Sequence, residues 1–133
     1  MKVKQLLFTA SLVLASGIAT AGLVQSVPVT VTLNPDGSGS ANGHMVTARF
    51  SVNDVEYIGC GTGRIDDGAG GATAYGFCQA STGDKVVGFC STDNKEVLEA
   101  IQSISSYSYI RFSWDAEGIC RTIHNSTQSF YIP

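Results

Sequence analysis

Four cysteines are the residues of this chain whose type and spacing most directly imply chemistry. They are Cys60, Cys78, Cys90 and Cys120, with gaps of 17, 11 and 29 residues between them. The sequence has no Cys-x-x-Cys pair, and His44 and His124 are far apart, so the spacing indicates neither a zinc ligand set nor a redox pair. An even number of cysteines at such spacings is typical of structural disulfides in an exported protein.

The pairing of the cysteines is not fixed by their number, because four cysteines can form two bridges in more than one way. We expect Cys60 to pair with Cys78 and Cys90 to pair with Cys120, since each pair would join segments that have the character of separate strands. A bridge between Cys78 and Cys90 across one hairpin is the alternative. Two bridges predict that reduction destabilises the domain by about 2–5 kcal/mol.

Carboxylates and serines are the remaining groups that could do chemistry. The segment Asp66-Asp67-Gly-Ala-Gly-Gly could bind calcium through Asp66 and Asp67, although it lacks the ligand spacing of an EF-hand. Paired acids also occur at Asp115 and Glu117, but both pairs lie in glycine-containing turns, where solvated acids are common. No Gly-x-Ser-x-Gly elbow is present. We therefore predict no catalytic residues and no cofactor.

Aromatic side chains are numerous for a chain of this size. Tyr107, Tyr109 and Arg111 occupy every second position at a predicted strand, so we expect the three side chains to share one face. An exposed row of two tyrosines and an arginine could stack on sugars or anchor a protein partner. The alternative is that these tyrosines only cover the rim of the fold.

The N-terminus reads as an export signal. Lys2 and Lys4 precede an apolar stretch over 6–18, and Ala19-Thr20-Ala21 supplies the small residues that a signal peptidase reads. We predict that residues 1–21 are a signal peptide cleaved near Ala21, which leaves no transmembrane anchor on the product. Residues 22–133 then form a single exported β-rich domain, secreted or periplasmic.

Charge excludes one class of partner. The signal carries two of the eight basic residues, so residues 22–133 keep 8 − 2 = 6 basic and 11 acidic residues, a net charge of 6 − 11 = −5. The basic residues are scattered and form no stripe that could follow a phosphate backbone. We therefore predict no binding of nucleic acid.

The first part of the domain, 27–52, predicts a hairpin. The runs 27–33 and 46–52 alternate apolar and polar residues, as half-buried strands do. Between them, Asn34-Pro35-Asp36-Gly37 is a turn composition, and 38–43 reads as a flexible polar loop.

The second part, 55–133, predicts a β-β-β-α-β-β unit. Its strands are predicted at 55–63, 72–80, 86–91, 109–114 and 119–125, with a further strand at 128–132. Asp93 is the predicted cap of a helix whose apolar stripe is Val97, Leu98, Ile101 and Ile104. The fold class is α+β and mostly β: a small antiparallel sheet or a partial, OB-like barrel with one short helix and two disulfides. A two-layer sandwich would give the same succession of elements.

Four segments carry a resemblance: "MVTARFS", "YIGCG", "FSWDAEGIC" and "NSTQSFYIP". With the cysteines they resemble a group of small exported bacterial proteins of uncharacterised function. The resemblance covers about residues 44–133 and implies a signal, this size and the cysteines, but no activity. "VVGFC" followed by the helix "KEVLEAI" also resembles, in topology alone, the OB-fold B-subunits of bacterial toxins.

The sequence favours a non-enzymatic domain that acts by surface recognition of a glycan or a protein in the cell envelope or outside the cell. A small secreted hydrolase or hydrolase inhibitor is one alternative, and a structural component of the envelope or matrix is another. If the chain is a hydrolase, we expect a concave pocket with convergent polar groups of perturbed pKa. If it is a binding domain, we expect an exposed aromatic patch.

Overall fold

The computed structural model describes residues 22–133, so the predicted signal peptide, 1–21, lies outside the described residues. Seven strands form two open antiparallel sheets. The strands are β1 (Thr30–Leu33), β2 (Gly39–His44), β3 (Tyr57–Asp66), β4 (Ala72–Ser81), β5 (Val87–Thr92), β6 (Tyr109–Trp114) and β7 (Cys120–Ser126). The helices are α1 (Met45–Arg49) and α2 (Lys95–Gln102), and a 3-10 helix spans Ser129–Tyr131. The predicted mostly β, α+β class is confirmed.

The four-stranded sheet has the order β1-β2-β6-β7 and the three-stranded sheet the order β3-β4-β5. The succession β3-β4-β5-α2-β6-β7 is the predicted β-β-β-α-β-β unit. The β1–β2 hairpin belongs to the same body, because β2 pairs with β6. A parallel bridge between Ser91 and Ile119 is the point where the two sheets meet edge to edge.

The two disulfides are the predicted ones, Cys60–Cys78 and Cys90–Cys120. Cys60 and Cys78 are register partners on β3 and β4, and Cys78 is in turn the register partner of Cys90 on β5. The second bridge connects this row to Cys120 on β7, and so ties one sheet to the other. Such bridges are consistent with an oxidising, extracytoplasmic compartment.

Trp114 fills the space between the sheets. A Cβ added to Gly39 of β2 would collide with the indole ring, and one added to Gly88 of β5 would lie 2.7 Å from Trp114 Cη2. The indole N–H donates a hydrogen bond to the Gly37 carbonyl at 3.1 Å. Glycine at 39 and 88 therefore lets the indole pack against backbone on both sheets.

The second strand of the N-terminal hairpin was predicted wrongly. Residues 46–52 are not a strand, because α1 and the bend after it occupy that segment, and Phe50 is 73% exposed. The pairing strand is Gly39–His44, which the composition suggested was a loop. This central strand needs small residues, since Trp114 closes over Gly39 and Val29 closes over Gly43.

Two smaller predictions also fail. Asn94, and not Asp93, caps α2: its side chain accepts hydrogen bonds from the N–H groups of Glu96 and Val97. The predicted strand 128–132 is a 3-10 helix, and it buries Tyr131 against His44, with 4.6 Å between ring centroids. The predicted helix stripe is otherwise confirmed, with Leu98 and Ile101 buried.

The position of the bridges predicts unequal contributions to stability. We expect Cys90→Ala with Cys120→Ala to cost about 3–5 kcal/mol, because it opens a buried seam between sheets, and Cys60→Ala with Cys78→Ala about 2–3 kcal/mol. When the Cys60–Cys78 bridge is removed, the backbone hydrogen bonds between β3 and β4 still hold these two strands together. Urea unfolding of both variants measures the difference, and the reverse order would contradict the assignment of the inter-sheet bridge as the main staple.

The packing of Trp114 predicts the effect of one added methyl group. Gly88→Ala should cost about 1–3 kcal/mol, because the methyl overpacks the indole contact. Gly59→Ala is the matched control on a strand of the same sheet, since an added Cβ there meets no atom within 4 Å. It should change stability by less than about 0.5 kcal/mol. If thermal unfolding showed equal losses of stability for Gly88→Ala and Gly59→Ala, the indole contact would not be the cause.

Candidate functional site

The outer side of the three-stranded sheet is exposed and has no charged side chain. Strand alternation places on it Tyr57, Gly59, Gly61, Gly63 and Ile65 of β3, Thr73, Tyr75, Phe77, Gln79 and the buried Ser81 of β4, and Val87, Phe89 and Ser91 of β5. We call this surface the aromatic face. Phe89 is 54% exposed and Tyr75 is 40% exposed. In a domain with 17 charged residues in 22–133, that is 6 + 11, a surface of this composition requires an explanation.

Glycines on β3 determine how two of the rings lie. A Cβ on Gly61 would come within 2.9 Å of Phe77 Cζ, and one on Gly63 within 2.6 Å of Tyr75 Cζ. The outer half of each ring therefore lies over the neighbouring strand, in the space that a side chain on β3 would fill. This arrangement keeps the rings low on the sheet and fixes their position.

Phe89 extends the row of rings onto β5. Its ring is nearly parallel to that of Phe77, with an interplanar angle of 21° and 6.4 Å between centroids. The hydrogen-bonding groups beside the rings are the amide of Gln79, the hydroxyls of Thr73 and Ser91, and the Tyr75 phenol. The centre of the aromatic face is thus a shallow platform of three rings, Tyr75, Phe77 and Phe89, with neutral polar groups at its sides and Tyr57 at one end.

The predicted row Tyr107, Tyr109, Arg111 is separated into two places. Tyr107 precedes β6 with φ 68°, so the alternation of β6 does not reach it, and its side chain lines a groove with Arg49 and Phe50. Tyr109 and Arg111 instead lie on the outer side of the four-stranded sheet, in a cavity of about 450 Å³ lined also by Ser113, Thr122 and His124. His124 could not be placed there from the sequence, because the register of β6 and β7 and not sequence distance brings it to Arg111.

The predicted calcium ligands Asp66 and Asp67 lie in the β3–β4 turn. Asp66 Oδ1 accepts a hydrogen bond from the Gly68 N–H at 2.8 Å, and Asp67 Oδ1 accepts from Ala69 and Gly71. These hydrogen bonds, first that from the Ala69 N–H, lower the pKa of Asp67. Within 22–133 neither aspartate belongs to a group of three or more metal-ligating side chains.

One such group does exist among the described residues, and it consists of disulfide sulfurs. The Sγ atoms of Cys78, Cys90 and Cys120 lie within 4.8 Å of one another, and all three residues are buried. All four cysteines are bridged in the described structure. The cluster therefore acts as part of the core in the oxidised protein.

A groove of about 440 Å³ is lined by His44, one of the two histidines of the chain. His44 is the last residue of β2 and is buried. Its Nε2–H donates to the Tyr107 carbonyl at 3.1 Å, and its Nδ1 accepts from the Thr47 hydroxyl at 3.1 Å. Thr47 Oγ1 also accepts from the Val27 N–H. These contacts hold α1 and the N-terminal segment in place.

Glu56 is the acidic residue that lines this groove, and its hydrogen bonds are also structural. Its carboxylate accepts from the Val29 N–H at 2.7 Å and from the Asn53 amide at 3.0 Å. The carboxyl groups with lowered pKa are Asp36, Asp67 and Asp115, and none of them lines one of the described cavities. In this groove the His44 imidazole and the Glu56 carboxylate each hydrogen-bond to their own neighbours and not to each other.

No helix among residues 22–133 is long and apolar enough to cross a membrane. Searches against protein-family models, curated proteins and solved structures found no match to this chain. The resemblance to small exported bacterial proteins stays a prediction.

The hydrogen bonds of Asp115 predict how stability depends on pH. The Ile119 N–H first, and then Arg121, lower the pKa of Asp115 in the folded chain below its ordinary value of 3.8. Because the folded pKa is depressed, the contribution is present above pH 3.8 and is lost as the pH falls through the folded value. Asp115→Asn should therefore reduce the loss of stability between neutral and acid pH.

Urea midpoints measured from pH 7 downwards test this expectation. Glu117→Gln is the matched control in the same turn, since no hydrogen bond to its carboxylate occurs among the described residues. An acid response of Asp115→Asn identical to that of the unmodified domain would show that this turn does not contribute.

Proposed function

We propose that this chain is an exported, non-enzymatic recognition domain that binds a neutral polysaccharide through its aromatic face. The observation that carries the proposal is the row of rings, Tyr75, Phe77 and Phe89, on a sheet surface without charge. The proposal includes export to the periplasm or the cell exterior, with the signal cleaved near Ala21.

The absence of charge on the aromatic face favours a neutral ligand. A charged group placed on this face would lose hydration without gaining an ion pair, which costs free energy. The domain itself carries a net charge of −5 from 6 basic and 11 acidic residues, so an acidic polymer would also be repelled at long range. A neutral sugar polymer encounters neither cost.

The geometry of the rings suits a flat sugar face. The face of an aromatic ring carries partial negative charge, and the C–H groups on one side of a pyranose are weakly positive and apolar. Rings that lie low over Gly61 and Gly63 form a shallow platform suited to an extended chain. Gln79, Thr73 and Ser91 are placed to exchange hydrogen bonds with sugar hydroxyls at the edges of that platform.

Depletion by insoluble glycans tests the proposal. The mature, oxidised domain is mixed with microcrystalline cellulose and with chitin, and the protein left in solution gives an affinity. Phe89→Ala should weaken binding about 2- to 10-fold, the amount expected for one lost aromatic contact. Phe89 covers no glycine and is half-exposed, so this variant should fold normally.

Phe50→Ala is the matched control, because Phe50 is 73% exposed but lies beside the His44 groove. It should bind as the unmodified domain does. No binding to either glycan, or equal weakening by both substitutions, would overturn the proposal, and the second result would indicate non-specific adsorption.

A further inference from the structure

The outer side of the four-stranded sheet carries a second set of groups with different chemistry. Arg111 on β6 and His124 on β7 are register partners, and so are Ser113 and Thr122. Together with Tyr109 these four residues line the cavity of about 450 Å³ described above. We call this cavity the Arg111 pocket.

The side chains of Arg111 and His124 have no ion-pair or hydrogen-bond partner among the described residues. Within 22–133 the guanidinium of Arg111 makes no ion pair and no side-chain hydrogen bond, and neither does the His124 ring. Arg121, by contrast, which precedes Thr122 on β7, forms an ion pair with Asp115. A guanidinium offers about five N–H donors in a fixed planar fork and cannot lose its charge, so it is the side chain best suited to bind a planar or tetrahedral oxyanion.

The surroundings of Arg111 add donors and no carboxylate. The Ser113 and Thr122 hydroxyls are hydrogen-bonded to each other at 2.6 Å, so one of the two protons stays available to a ligand. By alternation the other outer residues of the sheet strands carry no carboxylate: they are Thr30, Thr32, Ser40 and Asn42, with His44 and Ser126 as the register partners of Tyr109. In a domain with 11 acidic residues, none of them lies on this side of the sheet strands.

Tyr109 forms a fixed wall of the pocket. Its ring stacks on that of Tyr131 at 6.0 Å and 16°, and it meets the edge of the His124 ring at 6.4 Å. Tyr131 in turn is the buried residue of the C-terminal 3-10 helix. The Tyr109 ring is therefore positioned before any ligand arrives, and the His124 imidazole packs against it.

We infer that the Arg111 pocket binds an oxyanion, either a carboxylate or a tetrahedral sulfate or phosphate group. Arg111 supplies the charged fork, His124 an N–H donor, and the Ser113–Thr122 pair a hydroxyl donor. The site is on the sheet opposite to the aromatic face and does not depend on the proposed binding of neutral polysaccharide. Its ligand is distinguished from that of the aromatic face by charge.

Calorimetric or NMR titration of the mature, oxidised domain at low ionic strength tests the inference. Inorganic sulfate and phosphate probe the tetrahedral group, and glucuronic acid probes the carboxylate, with glucose as the neutral counterpart. We expect saturable binding of at least one anion with shifts at Arg111 and His124, and no binding of glucose in this pocket. Low ionic strength is needed because salt screens exposed charges.

Arg111→Gln should weaken binding of that anion about 10- to 100-fold, as expected for hydrogen bonds to a charged group. His124→Gln should weaken it less. Arg64→Gln is the matched control, since it removes the same charge from an exposed arginine on β3 of the other sheet. Equal weakening by Arg64→Gln and Arg111→Gln would show general electrostatic attraction and overturn the inference, as would the lack of saturable binding of every anion.

Discussion

The row of cysteines across the three-stranded sheet is the constraint on which the rest of this structure depends. Cys60, Cys78 and Cys90 are consecutive register partners on β3, β4 and β5, and Cys120 joins them from the other sheet. A shift of one residue between strands would turn every side chain to the opposite side. The bridges therefore fix the register of the sheet covalently as well as its attachment to its neighbour.

That register has a direct consequence on the outer surface. Because the cysteines point inward, the residues next to them point outward, and Phe77 is placed opposite Gly61 while Phe89 is placed beside Phe77. The inner, sulfur-containing side and the outer, aromatic side are thus two results of one pairing. The four-stranded sheet uses the same alternation differently, with Phe112 and Trp114 inside and Arg111 and Ser113 outside. The domain presents a neutral surface on one sheet and a hydrogen-bond-donating, basic pocket on the other.

The sequence predicts those parts of the fold in which local pattern and tertiary packing agree. The strands β3 to β7 and the stripe of α2 follow from alternation, turn composition and helical spacing. The sequence favours the observed cysteine pairing, because each bridge joins separate strands, but it leaves a Cys78–Cys90 bridge open. Gly39–His44 could not be predicted, because a central strand of small residues forms only when Trp114 and Val29 close over its glycines. Residues 46–52 alternate like a strand but pair with no strand in the described structure. The first part of this segment belongs to α1, which ends at Arg49.

The candidate sites show the same division. Alternation places Tyr109 and Arg111 on one face, but the φ of 68° at Tyr107, before the strand begins at Tyr109, ends that pattern. His124 joins Arg111 through a cross-strand register that sequence distance does not encode. The aromatic face could be recognised only in part, since alternation on each strand is visible but the assignment of rings to glycines depends on the pairing between strands.

The most direct test of this account is a map of backbone amide shifts on adding a soluble neutral oligosaccharide, cellohexaose, to the mature, oxidised domain. We expect the perturbed amides to be those of Gly61, Gly63, Tyr75, Phe77 and Phe89, with Arg111 and His124 unchanged. Perturbation confined to the His44 groove or to the Arg111 pocket, or no perturbation at saturating ligand, would contradict the claim that the stapled register creates a glycan-binding face.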